Sequence, residues 1–197
     1  MIVFLKAPRA GSVKTRLGRQ IGMGRAAVLF RRMTAMTLCQ VSKGPWRVIL
    51  AVDPRKDLYS FKRLWGWSHR RMAQRKGDLG ARMAAAMRAV PRGPVIVVGA
   101  DIPGLRAWHL RRAFAELGRA DVVIGPAEDG GYWLIGMARR RRAPDLFDGV
   151  RWSSEHALAD TIASLPEDFV VSYLPVLRDI DDAADLRAAG PLLMSAG

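Results

Sequence analysis

The chain has 197 residues, 50% of them hydrophobic and 25% charged, which suits a single globular domain with its own core. No apolar run reaches the roughly 18 residues of a membrane helix, and Lys6 cuts the first apolar stretch short of a secretory signal. A lone cysteine, Cys39, excludes an internal disulfide and a cysteine-only zinc site, so a cytoplasmic location is expected. The net charge of +14 divides into +18 over residues 1–100 and −4 over residues 101–197. A basic half beside a mildly acidic half suits anionic ligands, with carboxylates available for a metal. It also suits nucleic acid. Because 26 of the 32 basic residues are Arg, codon bias in a GC-rich genome is a plainer source of the excess.

In chain order, residues 1–6 read as a short apolar strand, followed by a loop over 7–13 carrying Pro8 and Gly11. Residues 24–42 have helical spacing, with Ala27, Leu29, Phe30, Met33, Met36 and Leu38 on the inner side and Cys39 as a structural residue. Gly44-Pro45 ends it, and residues 46–52 form a second strand. Residues 58–67 have no decisive pattern. A helix follows over 78–90 with Asp78 at its N-cap. Residues 94–99 form the most apolar strand, of the kind buried on both faces of a parallel sheet. A helix at 107–118, strands at 121–125 and 131–137, a helix at 153–165, a strand at 169–174 and a helix from 181 to 189 complete the pattern. Alternating strands and helices predict a single α/β domain with a mostly parallel sheet, whose ligands bind beyond the carboxyl ends of the strands.

Four segments carry candidate chemistry. The loop after the first strand holds Lys6, Arg9, Lys14 and Arg16 for phosphate charge, with Gly11 and Ser12 allowing close backbone approach. It lacks the spacing of a Walker loop. Asp101, just past the most buried strand, could hold a hard divalent cation or cap the next helix. Glu128 and Asp129 precede a Gly130-Gly131 turn and Tyr132-Trp133, which could receive a sugar or base, or could form a plain hairpin turn. Asp179 and Asp181 could complete a metal site with Asp101, although Asp181 or Asp182 also suits a helix cap. His69, His109 and His156 have no metal-ligand spacing. The run of four arginines at 139–142 reads as a solvated loop or a polyanion contact, and Trp65 and Trp67 as core cover or as stacking platforms for single-stranded nucleic acid.

As a set, these segments resemble a bacterial family of GT-A-like proteins, the DUF2064 family, often labelled glycosyltransferases of arsenosugar biosynthesis. The matching pieces are Lys6-Ala7-Pro8, Gly11, Val13-Lys14-Thr15-Arg16-Leu17, Gly77-Asp78-Leu79-Gly80 with Arg82-Met83, Gly99-Ala100-Asp101 and Asp129-Gly130-Gly131-Tyr132. Trp152-Ser153, Thr161 and Asp179-Ile180-Asp181 follow. The resemblance implies a three-layer α/β/α sandwich with a mostly parallel mixed sheet, the nucleotide-diphosphosugar transferase fold. It also implies similarity to the nucleotidylyltransferases of phospholactate and molybdenum-cofactor activation. The sequence departs from these patterns in reading Asp101-Ile102-Pro103 where an Asp-x-Asp metal motif would stand.

What the resemblance implies is a transferase using Mg²⁺ or Mn²⁺ and a nucleotide-activated donor. Lys6, Ala7, Pro8, Gly11, Lys14 and Arg16 would bind the phosphates, and Gly77, Asp78, Gly80 and Arg82 the base or donor. Asp101, Asp179 and Asp181 would hold the metal. Asp129 would act on a small-molecule acceptor held at Gly130, Gly131 and Tyr132. An NDP-sugar donor makes the reaction glycosyl transfer; an NTP and a phosphorylated acceptor make it nucleotidyl transfer. A nucleic-acid-binding module is the alternative of another class and the less favoured one, and a nucleotide sensor without turnover is a third.

Overall fold

Strand β1 (Ile2–Lys6) leads into α1 (Thr15–Ile21) and α2 (Met23–Val41), then β2 (Ile49–Asp53), a 3₁₀ turn at Arg55–Asp57, α3 (Lys62–Trp65) and β3 (Arg70–Ala73). The rest runs α4 (Leu79–Arg88), β4 (Val95–Gly99), α5 (Ala107–Glu116), β5 (Val122–Pro126), β6 (Tyr132–Met137), α6 (Ala157–Ala163), β7 (Val171–Tyr173) and α7 (Ala183–Met194). The computed structural model describes residues 1–66, 68–142 and 146–194, the last four by backbone alone. The strands form one mixed sheet in the order β3-β2-β1-β4-β6-β5-β7, the expected α/β class. β6 is antiparallel to β4 and β5, while β2 with β3 and β5 with β7 are parallel.

The chain divides into two compact units. One contains Val3–Ala73, Gly99–Ala107 and Arg178–Gly197. Its core gathers Val13, Leu17, Ala26, Ala27, Phe30 and Met33 with Ile180 and Ala189. The loop after β1 and the segment before α7 are therefore packed by their apolar members, Val13 and Ile180. The other unit contains Met1–Ile2, Gln74–Val98 and Trp108–Leu177. There β4 and β5 are buried along almost their whole length, which is why their sequences are continuous apolar runs.

Several expected boundaries move. The helix expected over 153–165 is only α6, because 153–156 form a turn segment in which Ser154 Oγ donates to the Arg151 carbonyl at 2.6 Å and accepts from the His156 N–H at 3.2 Å. Neither α1 nor β3 was expected. α1 is seven residues long and buries only Leu17 and Gly18, too little for a helical period to show. β3 is an edge strand with exposed or half-buried side chains. Its Arg71 donates to the carbonyls of Leu58, Ser60 and Gly66 at 3.2, 3.4 and 2.6 Å and lies over the Trp65 ring. The indecisive 58–67 stretch thus folds as a short helix around a fully buried Trp65. Cys39, read as a structural residue of the helix, is exposed on the outer face of α2.

Three members of the arginine run, Arg139, Arg140 and Arg141, are tied into the architecture, although Arg140, Arg141 and Arg142 are exposed. Arg139 donates to the carbonyls of Met87 and Gly93 at 2.7 and 2.6 Å and to that of Pro91, closing the end of α4. Arg140 does the same for Leu117 and Ala120 after α5, at 2.9 Å each. Arg141 pairs with Asp121 and Asp168 and lies over Phe169. Helix ends leave carbonyls without intrahelical partners, and a guanidinium fork can satisfy several at once. Arg139→Ala is expected to lower the melting temperature by about 4–8 °C, the cost of roughly 2 kcal/mol for the orphaned carbonyls. A thermal melt by circular dichroism that leaves it unchanged would show these bonds to be dispensable.

Candidate functional site

The loop after β1 is braced from several sides within its own unit. The Ala7 N–H donates to the Asp53 carbonyl at 2.8 Å, and Arg31 from α2 donates to the Pro8 carbonyl at 3.1 Å. Gly11 turns the chain at φ +76°, with open space where a Cβ would stand. Arg9, expected as a free phosphate ligand, is instead paired with Asp57, whose side chain is only 2% exposed. The Arg9 hydrogen bond holds the Asp57 carboxyl below its ordinary range. Sequence reading passed over Asp57 because nothing local marks an acid inside Arg55-Lys56-Asp57-Leu58 as the partner of a residue 48 positions away. Lys6 and Arg16 remain exposed near the two ends of the loop.

Lys14 turns inward. Its backbone sits at φ 45°, ψ 47°, immediately before α1, and its side chain is only 6% exposed. Its Nζ lies 2.7 Å from Asp101 Oδ2 and 2.8 Å from Asp181 Oδ1. Burial works against the ammonium charge, but the two carboxylates outweigh it and raise the pKa above its ordinary value. Asp101 is held in place by its buried neighbours Ala100, Ile102 and Leu105, with the Leu105 N–H closing a turn onto the Ile102 carbonyl. Asp181 is placed by Ile180 in the core and by α7. The Asp182 carboxylate accepts from the N–H groups of Ala184 and Asp185, while Asp185 accepts from those of Asp181 and Asp182. This reciprocal cap assigns the helix-capping role to Asp182 and leaves the Asp181 side chain for Lys14. Asp179 is half-buried, two residues upstream.

The donor chemistry fits a hard divalent cation. Two carboxylates converge on one point, and such cations take one or two carboxylates, with phosphate oxygens and water completing the shell. No group of three His, Cys, Asp or Glu side chains with metal-binding geometry occurs among the described residues, so Asp179 is not assembled with Asp101 and Asp181, and the carboxylates brought together at Lys14 are those two.

The other predicted residues lie in the other unit, and several are bound into its architecture. Asp78 caps α4, accepting from the Ala81 N–H at 2.8 Å. Gly77 takes φ +119°, and Gly80 packs so closely that a Cβ would stand 2.6 Å from Phe147 Cβ. Arg82 donates to Gln74. Asp129 accepts from the Gly131 N–H at 2.9 Å through Oδ1, and the side chain is exposed. Tyr132 lies edge-on to Trp152 with its hydroxyl 3.3 Å from Thr161 Oγ1, and burial pushes its pKa up. The Trp152 loop is pinned by Arg151, which forms a two-pronged pair with Asp160. That pair lowers the Asp160 pKa to about 2, the Arg151 hydrogen bond being the largest cause. A depressed acid stabilises the fold above its ordinary value and loses that contribution as pH falls through its folded value. Asp160→Asn is therefore expected to flatten the loss of stability between about pH 4 and pH 2. Carboxylate NMR showing Asp160 titrating near 3.8, the ordinary value, would rule the pair out in solution.

Trp65 is buried and cannot stack on a base, and Trp67 lies outside the described residues. His109 is buried between Trp108 and Trp133, a packing role. Among the described residues no helix is long and apolar enough to cross a membrane.

The family model described as "Uncharacterized protein conserved in bacteria (DUF2064)" matches residues 37–154. The chain belongs to the DUF2064 family. No curated protein matches it. A crystal structure of a candidate nucleotide-diphospho-sugar transferase from Desulfovibrio desulfuricans G20 is 30% identical, with a TM-score of 0.85 over 98% of this chain and 96% of that one. The inositol-1-phosphate CTP transferase from T. maritima is 16% identical, with a TM-score of 0.60 over 98% and 94% of the two chains. Rv0371c from Mycobacterium tuberculosis H37Rv, in complex with manganese, is 18% identical, with a TM-score of 0.56 over 99% and 98%. The last two share the fold alone. This DUF2064 protein therefore has the nucleotide-diphosphosugar transferase fold, and its expected enzyme class, transferase, agrees with the Desulfovibrio desulfuricans neighbour.

Proposed function

We propose that this DUF2064 protein transfers a group from a nucleotide-activated donor with the help of Mg²⁺ or Mn²⁺, and that the group is a sugar from an NDP-sugar. The observation that carries the reading is the convergence of Lys14, Asp101 and Asp181 beside the basic loop after β1. Lys6, Lys14 and Arg16 neutralise donor phosphate charge, with Ala7, Pro8 and Gly11 offering backbone at close range. Asp101 and Asp181 would hold the cation, with Asp179 two residues along the chain. A bound divalent ion would stabilise the charge growing on the leaving phosphate oxygen. Gly77, Asp78, Gly80 and Arg82, around the start of α4, are the candidates for base or donor contacts. Asp129 keeps its second carboxylate oxygen outside the turn hydrogen bond, and that oxygen takes the acceptor hydroxyl proton as the new glycosidic bond forms. Gly130, Gly131 and Tyr132 face the acceptor.

Nucleotidyl transfer to a phosphorylated small molecule is the second reading, favoured by the fold shared with the inositol-1-phosphate CTP transferase. A panel of nucleoside diphosphates, triphosphates and NDP-sugars, each with Mn²⁺, Mg²⁺ or chelator, separates the two by thermal shift. Ligand at about 100 times its dissociation constant adds roughly 2.7 kcal/mol, or about 5–10 °C for a chain of this size. A divalent-dependent shift for one base supports the reading, and a larger shift for the sugar nucleotide than for the triphosphate supports glycosyl transfer. No shift from any member, in folded protein, removes the donor site. Binding that instead falls steeply with salt and ignores base identity would revive the nucleic-acid reading.

A further inference from the structure

We infer that Lys14 is an exchangeable internal cation. Its ammonium holds the place between Asp101 and Asp181 in the ligand-free protein and yields it to a divalent ion far more readily when phosphates arrive. The inference rests on the donor reading above and adds an order of binding to it.

The geometry carries the argument. One oxygen of each carboxylate that a divalent ion would use is already engaged by the same nitrogen, at 2.7 and 2.8 Å. A metal ion on the same pair of carboxylates would stand close to the ammonium, where two cations repel strongly. Metal entry is therefore favoured when Lys14 swings away. The side chain is only 6% exposed, so leaving without a new partner would strand a charge in a poorly solvated place. A donor phosphate supplies that partner. Lysine suits the exchange because its charge is a compact point on a flexible four-carbon stem, able to swing from carboxylate to phosphate while keeping its hydrogen bonds. The two carboxylates carry more negative charge than one ammonium cancels, so the site still attracts cations in the absence of donor. Arg9 does not take this part, since it is tied to the buried Asp57. The consequence is thermodynamic coupling: the metal and the phosphates each bind better in the presence of the other, by the same factor.

The test measures Mn²⁺ binding to the whole chain by electron paramagnetic resonance, with and without inorganic pyrophosphate and corrected for the Mn²⁺–pyrophosphate complex in solution. Pyrophosphate has no base, so the result does not depend on which nucleotide the protein prefers. The wild type should bind Mn²⁺ weakly alone and about tenfold or more tightly with pyrophosphate, within the usual range of coupling between sites. Lys14→Met should bind Mn²⁺ alone at least about tenfold more tightly than the wild type, with coupling to pyrophosphate largely gone. Its melting temperature should rise with Mn²⁺ by more than that of the wild type. Folded Lys14→Met that binds Mn²⁺ no better than the wild type overturns the inference. If that variant does not fold, Lys14→Arg retains the charge but grips the carboxylates with a rigid fork. It should weaken the coupling by about tenfold, and unchanged coupling overturns the inference. The donor reading fails separately: tighter Mn²⁺ binding by Lys14→Met, with no nucleotide shift in the wild type, leaves the lysine exchange standing and removes the transferase donor site.

Discussion

Asp101→Ala is expected to abolish divalent-dependent nucleotide binding while leaving the fold intact. The variant removes one of the two carboxylates that converge on Lys14 Nζ, the pair proposed to hold the cation. Disturbing partners one shell out from a metal commonly costs 10–100-fold, so loss of a ligand itself should reach about 100-fold or more. The backbone has little reason to move, because Ala100, Ile102 and Leu105 stay buried on either side of the substitution. Lys14 keeps Asp181 as a partner, so the stability cost should be near 1 kcal/mol, or about 2–4 °C in melting temperature. Isothermal titration with nucleotide and Mn²⁺, beside a thermal melt, reads both quantities. Metal-dependent affinity retained in Asp101→Ala would take Asp101 out of the cation site.

Gly130→Ala should have the largest effect on stability of any single methyl addition in the acceptor segment. Gly130 sits at φ +81°, a conformation L side chains resist, and its Cβ would stand 2.2 Å from the Glu155 carbonyl oxygen and 2.6 Å from Glu155 Cα. Both obstacles are backbone, so no side chain can rotate away. The strained conformation and the overpacking each cost about 1–3 kcal/mol. Together, about 3 kcal/mol would lower the melting temperature by roughly 6–12 °C. The Gly130 carbonyl also receives the Leu158 N–H at the start of α6, so that hydrogen bond is strained with it. Gly131→Ala is the control. There the obstacle, at 3.1 Å, is the exposed Asp129 carboxylate, which can give way. Its cost should stay below about 1 kcal/mol, within the range of ordinary surface changes. Equal destabilisation by the two variants would show that backbone crowding against Glu155 is not what requires Gly130.

The same contrast runs through the molecule. The α/β pattern was legible because it is local. The runs Val95–Gly99 and Val122–Pro126 announce buried strands by composition, Asp78 announces the start of α4 by its capping chemistry, and the loop after β1 announces itself by Gly11 and its cations. The assignment of Asp101 to the edge of a buried strand followed from chain order alone. What failed lay where residue type and position point one way and distant packing decides otherwise. Of the two readings of Trp65, core cover holds and a stacking platform does not: it is buried, with Arg71 over its ring. The arginines at 139–141 resembled a solvated run but close two helix ends and pair with Asp121 and Asp168.

Sequence by itself determined the fold class, the family, the identity of the basic loop and the carboxylates that could meet it. Tertiary structure alone decided which of them meet. Lys14 and Asp181 stand 167 positions apart, and nothing in either neighbourhood specifies the other. They are joined because Val13 and Ile180, their immediate neighbours in the chain, are buried in the same apolar core. Burial of apolar surface is non-directional and reads only the whole packed unit, so the partner of a charge carried on such a segment is settled when the core closes.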